Sequence, residues 1–123
     1  MIKIARIFIV DDDETLIFLF EELLRMEGHE VVDSAFDGDQ AVTTYRSLQY
    51  PPDIILMDYR MPKKDGLLAS KEILAIDPKS TIIFISADSS VKSQALSMGA
   101  VAFLEKPFSF RELLTAINEV LPS

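Results

Sequence analysis

The chain has 123 residues, 49% of them hydrophobic and 26% charged, with 12 Lys+Arg against 20 Asp+Glu for a formal net charge of −8. That length suits one domain with a sizeable core, and the balance is that of a globular chain and excludes a disordered one. The negative charge argues against direct nucleic-acid binding, and the lack of cysteine excludes a disulfide framework and thiolate chemistry, which fits a reducing compartment.

Short apolar runs alternate with longer amphipathic segments. Ile7–Val10 predicts a first strand, followed by a helix from about Glu14 to Glu27 that Gly28 stops. Val31–Val32 is a short second strand, and Gln40–Leu48 a second helix ended by Pro51-Pro52. Ile54–Met57 is a third strand; after the Pro and Gly turn of Met61–Gly66 comes a helix over Leu67–Ile76. Ile82–Ile85, a helix over Val91–Met98 stopped by Gly99, Val101–Leu104 and a last helix over Phe110–Leu121 complete the pattern. The Ile7–Val10 run is too short for a signal-peptide core, and no stretch approaches a membrane span. The expectation is a cytoplasmic protein without membrane association.

Strands 1, 3 and 4 read as continuous apolar runs, as when helices cover both faces of a parallel sheet. Strict alternation of five strands and five helices predicts an α/β fold, an open doubly wound (βα)5 sheet, with residues 1–123 as one domain. Ligands of such sheets bind beyond the carboxyl ends of the strands. The residues there are Asp11, Asp12 and Asp13 after strand 1, Asp58 after strand 3, Ser86 after strand 4, and Glu105, Lys106 and Pro107 after strand 5.

Asp11, Asp12 and Asp58 would repel one another unless cations relieve them. Lys106 supplies one positive charge and a divalent ion would supply the rest. Carboxylate oxygens without His or Cys suit Mg²⁺, or Mn²⁺ in its place, and not Zn²⁺. Asp13 and Glu14 are read as an ordinary helix cap and first-turn charge.

In this order and spacing, Ile9-Val10-Asp11-Asp12, Leu56-Met57-Asp58-Tyr59-Arg60-Met61-Pro62, Asp65-Gly66, Ser86-Ala87, Met98-Gly99-Ala100 and Glu105-Lys106-Pro107-Phe108 resemble the receiver domain of two-component response regulators over essentially the whole chain. The resemblance implies strand order 2-1-3-4-5 and a phosphoryl group accepted on Asp58 from a histidine kinase or phosphotransfer protein. It implies Mg²⁺ held by Asp12, Asp58 and the backbone carbonyl of Arg60, with Asp11 acting through water. It further implies Ser86 and Lys106 as phosphoryl contacts, Ser86 and Phe103 as the switch pair, a cis Lys106–Pro107 bond, and a downstream protein target or output domain. The domain would catalyse only its own phosphorylation and dephosphorylation. Phe103 is often Tyr in relatives and Ser86 is often Thr.

Carboxylate attack on a phosphoryl group gives a mixed anhydride, and catalysis of that transfer is mainly positioning and charge neutralisation. Acid-anhydride phosphatases use similar parts but place a second Asp two residues after the nucleophile, where this chain has Arg60. A degenerate receiver acting as a phosphorylation-independent binding module is the alternative, opposed by the intact Asp12, Asp58, Ser86 and Lys106. His29 is the single histidine and follows a helix stop, so no internal phosphohistidine donor is expected.

Two features are particular to this chain. Arg60 and Asp88 lie two residues after Asp58 and Ser86, and are expected to pair across the mouth of the site and slow hydrolysis of the phosphorylated form. On the first helix, Leu16, Leu19, Phe20 and Leu23 are expected to face the core, leaving Phe18 exposed, with Ile17 on its flank, to dock a partner helix. No helix-turn-helix pattern follows the last helix; a stand-alone regulator and a piece of a longer one both fit, as do a monomer and a weak phosphorylation-dependent dimer.

Overall fold

The computed structural model describes residues 3–122. Its elements are β1 (Arg6–Val10), α1 (Glu14–Met26), β2 (Glu30–Ala35), α2 (Gly38–Ser47), β3 (Ile54–Asp58), α3 (Gly66–Ile76), β4 (Ile82–Ser86), a short 3-10 turn (Ser89–Val91), α4 (Lys92–Met98), β5 (Ala102–Glu105) and α5 (Phe110–Val120). The strands are all parallel and lie in the order β2-β1-β3-β4-β5, as expected.

Successive side chains of a strand point to opposite faces, and this divides the core in two. Ile7, Ile9, Ile54, Leu56, Ile83 and Ile85 meet α1 and α5 through Ile17, Phe20, Leu24, Leu113 and Ile117. Phe8, Val10, Ile55, Met57, Ile82 and Phe84 meet α2, α3 and α4 through Ala41, Val42, Tyr45, Ala69, Ile73 and Ala95. Each fully buried Ile or Phe stabilises the fold by about 1.5–3 kcal/mol. Every position of β3 and β4, and all of β1 but Arg6, is buried, so these central strands form a rigid base for whatever follows them.

The helix starts are pinned close to the strand ends. Asp13, Asp37 and Asp65 are N-caps, their carboxylates accepting from the amides of Leu16, Gln40 and Leu68 at 3.1, 2.7 and 2.9 Å. Ser109 and Glu112 form a reciprocal capping box on α5. Each such cap contributes about 1 kcal/mol. Asp13 and Glu14 thus have the cap and first-turn places expected of them.

Three expectations need correction. β2 runs for six residues, longer than Val31–Val32: it is a sheet edge, half-exposed, so Asp33 and Ser34 are accommodated where a central strand would need apolar residues. β5 begins at Ala102; Val101 precedes it and is exposed. The third concerns the roll of α1. Its core face is Ile17, Phe20 and Leu24, while Leu19 is exposed and Leu16 and Leu23 are half-buried. Ile17 therefore is core, at 3% exposure, and not a docking residue. Phe18 is exposed as expected, at 65%.

Candidate functional site

Parallel strands place all their carboxyl ends on one edge. Asp11 and Asp12 leave β1 there, Asp58 ends β3, Ser86 ends β4, and Lys106 follows Glu105 at the end of β5. The backbone of this edge is tied together: the Asp11 amide donates to the Ala35 carbonyl at 3.1 Å, that of Tyr59 to Ile85 at 3.0 Å, and that of Lys106 to Ser86 at 3.0 Å. Asp58 and Ser86 are thus set by the sheet itself, and Asp11, Asp12 and Lys106 by the first residues beyond it.

Asp11 and Asp58 are buried, and Asp12 is exposed beside them. Among the described residues these three form a group in which one carboxylate oxygen from each lies within 4.8 Å of those of the other two. Lys106 Nζ is 2.8 Å from Asp58 Oδ1 and 3.6 Å from Asp11 Oδ2. The Asp13 amide donates to Asp11 Oδ1 at 2.9 Å, which aims the other Asp11 oxygen at Lys106.

Three carboxylates against one ammonium leave surplus negative charge in a partly buried place. Burial pushes the Asp11 carboxyl up to about 6, partly opposed by the Asp13 amide and reinforced by the charge on Asp58. Asp58 is raised as well, first by burial, with Lys106 pulling the other way. For Lys106 burial favours the neutral amine, but Asp58 and Asp11 outweigh it and hold the ammonium above the usual lysine range. A set of hard oxygen donors this close together, with unrelieved charge, fits a small divalent cation of the Mg²⁺ kind.

Around this centre the other expected residues fall into place. Ser86 is buried, one residue beyond the β4 partner of Asp58, and its Oγ accepts from the Asp88 amide at 2.9 Å. Arg60 leaves the site in the loop after β3, and its guanidinium pairs with Asp88 at 3.2 Å, with Arg60 77% exposed. Asp88 is held below the usual carboxylate range, first by the Ser90 hydroxyl and amide, then by Arg60. The Lys106–Pro107 bond is cis. His29 takes no part: its Nδ1 accepts from the Ala5 amide at 3.0 Å, and burial lowers its pKa.

Two features escaped the sequence reading. Phe103 is half-buried and stacks on Phe84 at 6.2 Å, which in turn meets Tyr59 at 5.9 Å. This aromatic row joins the residue after Asp58 to the middle of β5. Parallel register supplies the signal for half of it, since Phe84 and Phe103 are direct partners. The second feature is an apolar groove of about 550 Å³ between α1 and the β5–α5 loop, lined by Leu16, Leu19, Leu23, Pro107, Phe108 and Phe110. Ala87 and Lys106 also line it, so it is continuous with the carboxylate edge.

A five-stranded parallel sheet of this order with an acidic cluster at its carboxyl edge defines an open doubly wound α/β module, and comparison with known proteins gives its family. The response regulator receiver domain matches residues 7–118. The chain is 41% identical over 118 residues to the chemotaxis protein CheY of Bacillus subtilis, covering 94% of this chain and 97% of that one. It is 37% identical to CheY of Thermotoga maritima, covering 94% and 96%. Among solved structures, the CheX-CheY-BeF3-Mg+2 complex of Borrelia burgdorferi superposes with a TM-score of 0.90 at 29% identity, covering 96% of this chain and 90% of that chain. TrrA of Thermotoga maritima, in complex with Mg(2+)-BeF, superposes at 0.83 with 33% identity, covering 94% and 98%. This chain belongs to the response regulator receiver domain family, the signalling modules of two-component systems. Among its described residues no helix is long and apolar enough to cross a membrane.

Proposed function

We propose that residues 1–123 act as one receiver domain that accepts a phosphoryl group on Asp58 from a phosphohistidine of a partner histidine kinase or phosphotransfer protein. The observation that carries this reading is the Asp58 carboxylate, buried at the end of β3, 2.8 Å from Lys106 and grouped with Asp11 and Asp12. An Asp58 oxygen attacks phosphorus, the new P–O bond forms as the donor P–N bond breaks, and the imidazole leaves with the electron pair. Lys106 neutralises charge on the oxygens in transit. Asp12, Asp58 and the Arg60 carbonyl would hold Mg²⁺, with Asp11 behind them, and Mn²⁺ is expected to substitute. When bound, the ion neutralises negative charge at the site and favours transfer.

The product adds negative charge beside Ser86 and Lys106. Ser86 leaves its bond with the Asp88 amide to donate to a phosphoryl oxygen, which shifts the segment after β4 and the packing of Phe103 on Phe84. That is the switch read by a protein target or output domain. The domain catalyses its own phosphorylation and dephosphorylation only. The Arg60–Asp88 pair shields the product from water, and the donor protein docks on α1, at exposed Phe18 or in the adjoining groove at Leu19. The domain is cytoplasmic, does not bind nucleic acid itself, and is a monomer or a weak phosphorylation-dependent dimer. The competing reading, a phosphorylation-independent binding module, draws no support from a pocket with all its charged groups in place.

Intact mass after incubation with acetyl phosphate tests the reading, with and without Mg²⁺, for wild type and Asp58→Ala. One phosphoryl group gained only with both Mg²⁺ and Asp58 supports it. No gain by a folded wild-type protein supports the binding module instead.

A further inference from the structure

The loop Tyr59–Asp65 carries the Arg60 carbonyl, and it is fastened more firmly than a surface loop needs. The Gly66 amide closes it on the Tyr59 carbonyl at 2.8 Å, and a Cβ at Gly66 would overlap the Asp58 carbonyl. Within it the Lys64 amide donates to the Pro62 carbonyl at 2.8 Å, and Lys63 adopts φ 68°, a left-handed conformation that side chains take only when their surroundings impose it. The loop is also packed against α2. Gly38, its first residue, lies so close that a Cβ there would overlap the Lys64 carbonyl.

The Lys64 side chain completes the fastening. Its ammonium is 3.3 Å from Asp39 Oδ1 on α2 and also pairs with Glu72 on α3. Its side chain is packed along the loop at 18% exposure, while Asp39 and Glu72 are 58% and 37% exposed, so the clamp is a geometric tie between the two helices and not a buried ion pair. One cation in the loop thus bridges two helices that do not otherwise belong to the site.

We propose that Lys64 is a positioning residue: by clamping the β3–α3 loop to α2 and α3 it fixes the Arg60 carbonyl relative to Asp12 and Asp58, and so sets the affinity of the site for Mg²⁺. This rests on the reading of that carbonyl as a ligand. A backbone ligand cannot be steered by its own side chain, so it is either held in advance or ordered at the expense of ion affinity. The clamp supplies the first.

The sign of the effect separates this from plain electrostatics. Removing a positive charge from a protein of net charge −8 should strengthen its attraction for a dication, whereas loosening the loop should weaken it. Mg²⁺ titrations of the full chain, followed by the amide NMR shifts of residues 58–64, decide. Lys64→Met, which keeps the aliphatic stem, is expected to weaken Mg²⁺ binding by about tenfold, the low end for groups that support metal ligands from outside. Lys64→Arg restores most of the affinity. Thermal unfolding without metal checks each variant, and Lys64→Gln takes the place of Lys64→Met if the latter does not fold. Unchanged or tighter binding in a folded Met or Gln variant overturns the inference. Absence of Mg²⁺ binding in wild type, or full binding in Asp12→Asn, overturns the metal-site reading and the inference with it.

Discussion

The Lys106 ammonium and the Asp58 carboxylate meet at 2.8 Å from opposite sides of β4, which lies between the strands that carry them. The pair spans the end of β4 and, among the described residues, gives two buried carboxylates their counter-charge. Lys106→Met would leave Asp58 and Asp11 facing each other alone. The metal-free variant is expected to lose about 1–3 kcal/mol at pH 8, since Lys106 is part-exposed and the full cost of a broken buried pair does not apply. Urea unfolding measures this, and acetyl phosphate labelling should slow by about 100-fold.

Asp11 gives the pH dependence. Its folded pKa of about 6 lies above the ordinary 3.8, so the folded state holds more protons between those values. Stability is then greatest below the lower value and is lost as pH rises through about 6. Asp11→Asn removes that loss while keeping an acceptor for the Asp13 amide. The metal-free variant should exceed wild type by about 1–3 kcal/mol at pH 8 and by little at pH 4. An equal gain at both pH values would assign the effect to something other than ionisation.

The Arg60–Asp88 pair predicts the lifetime of the phosphorylated form. An exposed pair of this kind interacts weakly, so Arg60→Ala should speed loss of phosphate by no more than about fivefold. Asp88→Ala added to it should change little more, and molar salt should speed wild type towards the variants. A dephosphorylation rate unmoved by Arg60→Ala would leave the pair as surface decoration.

The docking proposed for α1 is separable into two places. Phe18→Asp tests the exposed ring, and Leu19→Asp tests the groove beside Pro107 and Phe108. Whichever is the contact should slow transfer from a protein donor and spare labelling by acetyl phosphate. Slowing of both reactions alike would refer the change to the site itself.

The central strands were legible because burial on both faces leaves only apolar residues in Ile7–Val10, Ile54–Met57 and Ile82–Ile85. The site was legible for the same reason, since each polar residue following such a run must fall on one edge. β2 was under-read because an edge strand tolerates Asp33 and Ser34. The roll of α1 was misjudged because Leu16 to Phe20 are five apolar residues in succession, and such a run carries no phase; packing against β1 and α5 chooses Ile17. The Lys64 clamp was invisible because Asp39, Lys64 and Glu72 come together only when α2 and α3 pack side by side.

Burial sorts the functional residues into two kinds. Asp11, Asp58 and Ser86 are each exposed by 5% or less, whereas Phe18 is exposed by 65% and Leu19 by 49%. Arg60 belongs with the latter. Residues of the first kind sit in the packed sheet edge, with exposed Asp12 beside them, while changing one of the second kind typically shifts stability by under about 0.5 kcal/mol. On the proposed reading, lifetime and partner choice rest on exposed side chains that single substitutions can change without disturbing the packed sheet edge. If that reading holds, a gene duplicate could acquire a new partner or a new clock without first having to be rescued from unfolding.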